Sequence, residues 1–263
     1  MTGVMRQSRK YSRGSGAAIG RLFCTLCLLA VCAVPVLAQT TDDLIDSAVV
    51  LYETRHLDLG RLQQSYEMLE QIVAENPGNL RAHTELSHVC FFAGDAAPAK
   101  HDKLKFFDRG YAVGKQAVQI DPNSADAHLW LMIDRGRQGQ TRGVLNSLWM
   151  IPELKREINT VLKIDPNNTL AMDVKAMLFY EVPGIAGGDL NVAEHTLHQA
   201  LALDSNYSLL YTDMAKVMEA RHNYERAKWY LTRCLQVENP TFVADFVLTD
   251  KPVAERMLRE MGP

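Results

Sequence analysis

Residues 208–239 decide the fold of this 263-residue chain, and they read SLLYTDMAKVMEARHNYERAKWYLTRCLQVEN. His222-Asn223 divides the stretch into two segments, each with one apolar or small face at the three- and four-residue spacing of helix neighbours. These faces consist of Tyr211, Met214, Ala215 and Met218 in the first segment and of Tyr224, Ala227, Leu231 and Cys234 in the second. Pro240 ends the unit, because proline has no N–H and cannot continue a helix. The stretch therefore predicts a hairpin of two helices that cross closely at Ala215.

The hairpin resembles the tetratricopeptide repeat, a helix–turn–helix unit of about 34 residues. All eight positions named above agree with the repeat's pattern of aromatic, apolar and small residues. The resemblance implies an all-α fold, a tetratricopeptide-like right-handed helical solenoid of about five helix pairs. We expect inserted segments within the pairs and a C-terminal capping helix at Lys251–Met261, with Asp250 as its N-cap.

The end of the unit recurs along the chain. Equivalent turns contain Pro77, Pro122, Pro166, Ser205 and Asn239, at separations of 45, 44, 39 and 34 residues. The repeat is thus regular at the C-terminus, and the earlier units carry extra residues. We predict insertions between the two helices of a unit at residues 94–107, 136–152 and 182–189. Glycines and prolines in each segment indicate breaks in the helices.

Residues 1–38 have the pattern of a secretory signal peptide. Five basic residues precede an apolar run, residues 22–37, and no acidic residue accompanies them. Val36 and Ala38 stand three and one places before a cleavage point at Gln39. The alternative is an uncleaved membrane anchor. A lipoprotein reading would use Cys32, but Val31 before it is a poor fit. Residues 39–263 form the predicted repeat domain, which is periplasmic or secreted after cleavage.

The net charge limits the classes of partner, and the cysteine content predicts the state of the thiols. Five of the 28 basic residues and none of the 31 acidic residues lie in residues 1–38, so the remaining chain has a formal net charge of −8. This charge argues against nucleic acid as a partner. Only Cys90 and Cys234 remain after cleavage, and they are too far apart in a solenoid for disulfide geometry. We expect two buried free thiols.

The inner surface is the predicted binding site. In tetratricopeptide-like units, fixed positions of each first helix face the concave side, and many of these positions are apolar here. A solvated groove does not favour so many apolar residues. The candidate ligand- or partner-binding residues, with Trp149 at the rim, are Arg81, His88, Phe91, Leu129, Ile133, Trp149, Leu170, Asp173, Met177, Tyr180, Leu209 and Lys216. Two readings stay open: the groove is an open pocket, or residues 136–152 fold into it and fill it.

The sequence contains only weak signals for a catalytic site or a metal site. His195 and His198 are three residues apart on one predicted helix, but a third ligand at helical spacing is absent, so a solvated face is favoured. His83 and His128 occupy the aromatic position of their units and are expected to be packed. The glycine-rich loop at residues 184–188 lacks the lysine of a phosphate-binding loop. The sequence predicts no enzyme, no metal and no cofactor.

A narrower resemblance rests on the three insertions, the apolar second insertion and the loop Pro183–Asp189, which reads PGIAGGD. This layout is similar to the T component associated with tripartite ATP-independent periplasmic (TRAP) transporters. The same layout recurs in eukaryotic regulators of microtubule dynamics, but the export signal favours the bacterial family. The resemblance implies a helical-repeat protein that associates with the transporter's solute-binding subunit.

The expected function is therefore a non-enzymatic periplasmic repeat protein that binds a partner protein or an apolar small molecule. In the narrower version it works with a periplasmic solute-binding protein of a TRAP transporter. The alternative is a general envelope scaffold with a self-filled groove. The identities of ligand and partner and the oligomeric state, including a homo-oligomer, stay open.

Overall fold

The computed structural model describes residues 39–262, apart from the side chains of residues 144–147. Ten helices form five consecutive pairs within this range, followed by a short turn and a final helix. The pairs are α1 (Thr41–Glu53) and α2 (Gly60–Glu75), α3 (Leu80–Ala96) and α4 (Lys100–Ile120), α5 (Ala125–Arg142) and α6 (Val144–Ile164), α7 (Thr169–Glu181) and α8 (Leu190–Leu203), and α9 (Ser208–Ala220) and α10 (Tyr224–Leu235). The single turn α11 (Val243–Asp245) and a π-helical turn (Phe246–Asp250) lead into α12 (Lys251–Met261). The predicted all-α solenoid is confirmed.

Three of the recurring turns, and the turn within the last hairpin, start the next helix by side-chain capping. Asn79, Ser124, Asn168 and Asn223 each accept a hydrogen bond from the backbone N–H three residues later. Such caps satisfy N–H groups that the first helical turn leaves unpaired. Thr40 caps α1 in the same way, and the Asp43 side chain accepts from the Thr40 N–H in return. The capping residues therefore fix where these helices begin.

The hairpin of α9 and α10 packs as predicted in most positions. Met214, Ala215, Ala227 and Leu231 are fully buried. The prediction was wrong for Tyr224, whose side chain is 48% exposed. Asn223 caps the helix immediately before it, so Tyr224 is the first residue of α10 and lies outside the stripe that faces α9. The helix also ends at Leu235, before Pro240 is reached.

The first two predicted insertions are not loops. Residues 94–107 complete α3 and begin α4, and only residues 97–99 lie outside the helices. In residues 136–152, α5 continues to Arg142 and α6 begins at Val144, with Pro152 inside it. Gly136 and Gly139 stay helical, because the cost of about 1 kcal/mol for a helical glycine is smaller than the gain from packing long helices together. The extra residues lengthen the helices and do not fold into the groove.

The third predicted insertion is a loop, and its glycines are required. Gly187 has φ +94°, which L side chains rarely adopt. A Cβ on Gly188 would lie 1.7 Å from the carbonyl oxygen of Val182. Asp189 then caps α8 by accepting from the N–H groups of Asn191 and Val192. The loop joins α7 to α8 by a close backbone approach that only glycine permits.

Three apolar clusters form the core, one in α1–α4, one in α5–α7 and one in α7–α12. The buried face of α1 consists of Ile45, Ala48 and Tyr52, whereas Leu44, Val49 and Leu51 are half-buried. Met257 of α12 packs on the last cluster, so this helix covers the end of the core as predicted. Asp250 does not cap it, because the π-helical turn continues directly into α12 and the Asp250 side chain is turned to Ser208.

The thiols of Cys90 and Cys234 are both free and buried, as predicted. The predicted signal peptide, residues 1–38, lies outside the described residues. Within residues 39–262, no helix is both long and apolar enough to cross a bilayer.

Candidate functional site

The first helices of successive units pack side by side, α1 on α3, α3 on α5 and α7 on α9. Apart from Trp149, which belongs to α6, the predicted binding residues lie on α3, α5, α7 and α9, and their exposure differs along the chain. Leu129, Ile133 and Asp173 are buried, and Arg81 is exposed. The half-buried members are His88, Phe91, Leu170, Met177, Tyr180, Leu209 and Lys216. The surface therefore divides into an N-terminal part on α3 and α5 and a C-terminal part on α7 and α9.

The N-terminal part is filled by aromatic side chains. His88 lies flat against Trp130, with ring centroids 3.5 Å apart and planes at 17°. Its ring also contacts Tyr52 and Phe92, each at 4.7 Å between centroids. Phe91 completes this aromatic cluster at 5.9 Å from Trp130. Burial lowers the pKa of His88, so the neutral imidazole is favoured in the stack.

Leu129 and Ile133 belong to the same apolar core cluster as Trp130 and are 4% and 9% exposed. Phe91 and Leu170 pack against that cluster from its edge. These four predicted groove residues are thus brought together, but as packed core and not as the lining of an open pocket. The filling side chain, Trp130, was not among the predicted residues, although it directly follows Leu129.

The C-terminal part combines apolar side chains with a buried acidic pair. Met177 and Tyr180 are three residues apart on α7 and share one face of the helix. Leu170, Tyr180 and Leu209 pack at the edge of the last core cluster. Asp173 lies close to Asp213, a second buried carboxyl group, and the Lys216 ammonium donates to Asp213 Oδ1 at 2.5 Å. This part retains half-buried apolar groups beside a partly exposed cation.

Three of the four predicted polar groups of the groove lie beside a carboxylate, whereas Asp173 Oδ1 is buried without a hydrogen-bond partner. Arg81 pairs with Asp46 at 2.5 Å, and His88 Nδ1 lies 3.8 Å from Glu85 Oε2. Asp173 is 4% exposed and does not line the surface. Burial is the main cause that raises its pKa well above the ordinary value, and the negative charge of Asp213 adds to it. Arg81 and Lys216 remain accessible, with side chains 44% and 34% exposed, and Lys216 is the accessible group of the C-terminal part.

Trp149 lies apart from the packed clusters. It belongs to the first turns of α6, and its indole is 87% exposed. Ile185, in the loop between α7 and α8, is the other large apolar side chain that is almost wholly solvent-exposed within the described residues.

A cavity of about 430 Å³ lies between α2 and α4, away from the predicted groove. Val73, Pro77, His83, Arg109 and Ile120 are among its lining residues. Sequence reasoning did not find this cavity, because it forms between the second helices of two units. Its lining carries no cluster of catalytic groups.

In the part of the chain that the structure describes, no group of three His, Cys, Asp or Glu side chains could hold a metal ion. His195 and His198 are both exposed on α8. His83 and His128 are buried, as expected for packed residues. His128 is held by Glu157 at 2.6 Å and by the carbonyl of Pro122 at 3.0 Å.

The solved structures that resemble this chain include proteins described as tetratricopeptide-repeat (TPR) proteins. TTC0263, described as a thermophilic TPR protein in Thermus thermophilus, is 15% identical, has a TM-score of 0.63, and is matched over 83% of this chain and 100% of its own. YrrB, described as a TPR protein with an unusual peptide-binding site, is 11% identical over 83% of this chain and 91% of its own, at a TM-score of 0.44. MamA is 10% identical over 71% and 94%, at a TM-score of 0.46. At these identities, the likeness to TTC0263 shows the fold alone.

No curated protein matches the chain. A family model, described as Regulator of microtubule dynamics protein 1-3, matches residues 45–186. The match begins in α1 and ends in the glycine-rich loop after α7, so it contains both of the lengthened units. Because it extends over more than half of the sequence, the chain belongs to the family described as Regulator of microtubule dynamics protein 1-3.

Proposed function

We propose that the protein is a non-enzymatic adaptor that binds a segment of a partner protein on the inner surface of α7 and α9. One observation carries this proposal: Met177 and Tyr180 stay half-buried on one face of α7, next to the accessible Lys216 ammonium. Binding sites are typically apolar surfaces with a few placed polar groups. The neighbouring Asp173–Asp213 pair fixes the position of that ammonium.

The protein acts, in this proposal, in the periplasm or outside the cell, after the signal peptide has been cleaved behind Ala38. In the narrower version, the partner is the solute-binding protein of a TRAP transporter. An exported chain would act outside the compartment that holds microtubules, so we do not extend to it the activity in the family's name. Mass spectrometry of the exported protein should find Gln39 at its N-terminus. A retained Met1, or a lipid on Cys32, would contradict cleavage of the signal peptide after Ala38.

A photo-crosslinking residue in place of Tyr180 tests partner binding in the native envelope. We expect a discrete crosslinked protein, identified by mass spectrometry. A crosslinker in place of Trp229, which is 56% exposed on α10, is the matched control and should give no such product. A solute-binding protein as the product supports the TRAP version, and another envelope protein supports the adaptor alone. Equal labelling from both positions would overturn the inner-surface proposal.

The second candidate function is a scaffold that uses another face, because the N-terminal part of the groove is filled by Trp130, Leu129 and Ile133. An apolar small molecule is a further occupant of the C-terminal part. Solvent extraction of the purified native protein, followed by mass spectrometry, tests for it. Recovery of one stoichiometric apolar compound supports a ligand there, and its absence together with a specific Tyr180 crosslink supports a protein partner.

A further inference from the structure

The chain after α10 returns to the inner side of the solenoid. We call Thr241–Asp250 the return segment. Its first residues meet the start of α9: the Thr241 N–H donates to the Asn206 carbonyl at 3.1 Å, and Phe242 packs edge-on against Tyr207 at 5.0 Å between centroids. At its other end, Ser208 Oγ donates to Asp250 Oδ2 at 2.6 Å. Both ends of the segment are therefore attached to the same helix N-terminus.

The middle of the return segment reaches the opposite end of the repeat array. Asp245 forms an ion pair with Arg55, which lies 190 residues earlier in the connection between α1 and α2. Arg55 is the buried partner, with a side chain 8% exposed, whereas Asp245 is 26% exposed. The contact joins the first helix pair to the chain that follows the last pair.

Arg55 is fixed by the aromatic cluster. Its guanidinium carbon lies 3.6 Å above the centroid of the Phe92 ring, and Nη1 donates to the Tyr52 carbonyl at 2.9 Å. A planar guanidinium stacked on an aromatic ring keeps its edge free for a carboxylate. Here the second nitrogen, Nη2, is directed at Asp245. The arginine is thus oriented independently of the acid that it binds.

The return segment itself is loosely embedded. Four of its apolar side chains, Phe242, Val243, Val247 and Leu248, are 39–47% exposed, and only Ala244 and Asp250 are buried. A segment that belonged permanently to the core would bury such side chains, because each large one gains about 1.5–3 kcal/mol on full burial. The segment is held at a few points by polar contacts, by the ring contact of Phe242 with Tyr207, and by Phe246, which packs against the last core cluster. It therefore has the character of a bound peptide.

We propose that Arg55 is a carboxylate-binding site beside the aromatic cluster, that Asp245 occupies it as an internal substitute, and that an acidic residue of a partner segment displaces Asp245. The matching partner segment carries an Asp or Glu among apolar residues, as the return segment does. This inference rests on the proposed function, since it names the chemistry of a protein segment that the adaptor binds. An acidic residue is the complementary occupant, because Arg55 is the only Lys or Arg among the buried residues that the structure describes.

A fluorescent peptide with the sequence of residues 240–250 is the probe. Fluorescence anisotropy should show binding to the full-length Asp245→Asn variant that is at least about tenfold tighter than to the wild type, because the site is vacated. Asp46→Asn is the matched control, since it breaks the exposed ion pair with Arg81 and should leave peptide binding at the wild-type level. A peptide with Asn at the position of Asp245 should lose the tight binding. Equal affinities in all of these combinations would overturn the site.

Hydrogen exchange on the wild type removes the risk that a variant fails to fold. Saturating peptide should accelerate amide exchange in residues 241–250 and leave exchange in α12 unchanged. Exchange in the return segment that peptide does not alter would overturn the displacement. Arg55→Lys keeps the charge but loses the planar stack, and should weaken peptide binding to Asp245→Asn without unfolding it. The Tyr180 crosslink is a separate readout, so this proposal can fail while the adaptor function stands.

Discussion

Asp173 on α7 and Asp213 on α9 are neighbouring carboxyl groups, although both side chains are buried. Two adjacent carboxyl groups cannot both be ionised at low cost. The Lys216 ammonium donates to Asp213, whereas Asp173 has no cation as a hydrogen-bond partner. Burial raises the pKa of Asp173 well above its ordinary value, and the negative charge of Asp213 raises it further, so the protonated form of Asp173 is favoured.

Replacement of Asp173 by Asn should stabilise the protein increasingly as pH rises. The raised pKa means that the folded state binds more protons than the unfolded state above the ordinary Asp pKa, so the wild type loses stability as pH increases. The Asn amide donates to Asp213 at every pH. Thermal unfolding of both proteins between pH 5 and pH 9 should show a growing difference in melting temperature. A difference in melting temperature that does not change with pH would show that Asp173 does not titrate in this range.

Asp250 gives a second titration with a defined window. Burial, opposed by the hydrogen bond from Ser208, raises its pKa to about 7. Asp250 therefore contributes to the free energy of unfolding below the ordinary Asp pKa of about 3.9, and this contribution is lost as pH rises toward 7. The Asn variant does not titrate, so its free energy of unfolding minus that of the wild type should be larger at pH 8 than at pH 4, by on the order of 1–4 kcal/mol. Urea unfolding at both values measures it. Glu75→Gln, at an exposed carboxyl of α2, should show no comparable gain.

Ala215→Leu should destabilise the last hairpin. Ala215 is fully buried where α9 meets its neighbours, so added methylenes must push packed helices apart. Overpacking of this kind costs about 1–3 kcal/mol. Ala220→Leu, at an exposed position of the same helix, is the control and should change stability by less than about 0.5 kcal/mol. Identical melting curves for wild type and Ala215→Leu would contradict the close crossing.

Gly188→Ala should open the loop between α7 and α8. The new Cβ would collide with the Val182 carbonyl oxygen, and its relief would break the hydrogen bond from the Asp189 N–H to the Phe179 carbonyl. We expect a loss of about 1–3 kcal/mol in urea unfolding. Gly184→Ala, in the same loop with no atom within 4 Å of the added carbon, should be nearly neutral. Equal effects of the two substitutions would show that the close approach does not matter.

Leu129→Asp and Met177→Asp should behave differently. Leu129 is packed in the core beside Trp130, so an unpaired charge there should unfold the protein. Met177 is half-buried at the proposed binding surface, so its replacement should leave the helical circular dichroism intact and remove the Tyr180 crosslink. Loss of helical signal in both variants would show that the C-terminal part of the groove is filled as well.

Local patterns predicted the helices and most of the last hairpin because the contacts involved are local. Ala215, Ala227 and Cys234 lie at helical spacing within one hairpin, and their burial follows from that spacing. Gly136, Gly139 and Pro152 were misleading, since residues that usually interrupt helices lie inside long ones here. Their helices persist because neighbouring helices pack along them, which a single sequence does not reveal.

The candidate site was harder to predict because its decisive contacts are distant in sequence. The inner faces of the helices were inferred from repeat positions, and their role in binding stays a prediction. The stack of His88 on Trp130 joins two units, and no spacing within either helix indicates it. Arg55 carries even less signal, since it lies in a connection between helices and its partner is near the other end of the chain.

Arg55 and Asp245 also change how the array should come apart. In an open array of repeats each unit touches only its neighbours, so the terminal units fray first and unfolding spreads inward. A contact between the first connection and the segment after the last pair removes both free ends at once. Pulling or denaturant would then have to break this junction before either terminal pair could peel away. We therefore expect the two terminal helix pairs to unfold together, after the ion pair between Arg55 and Asp245 has broken.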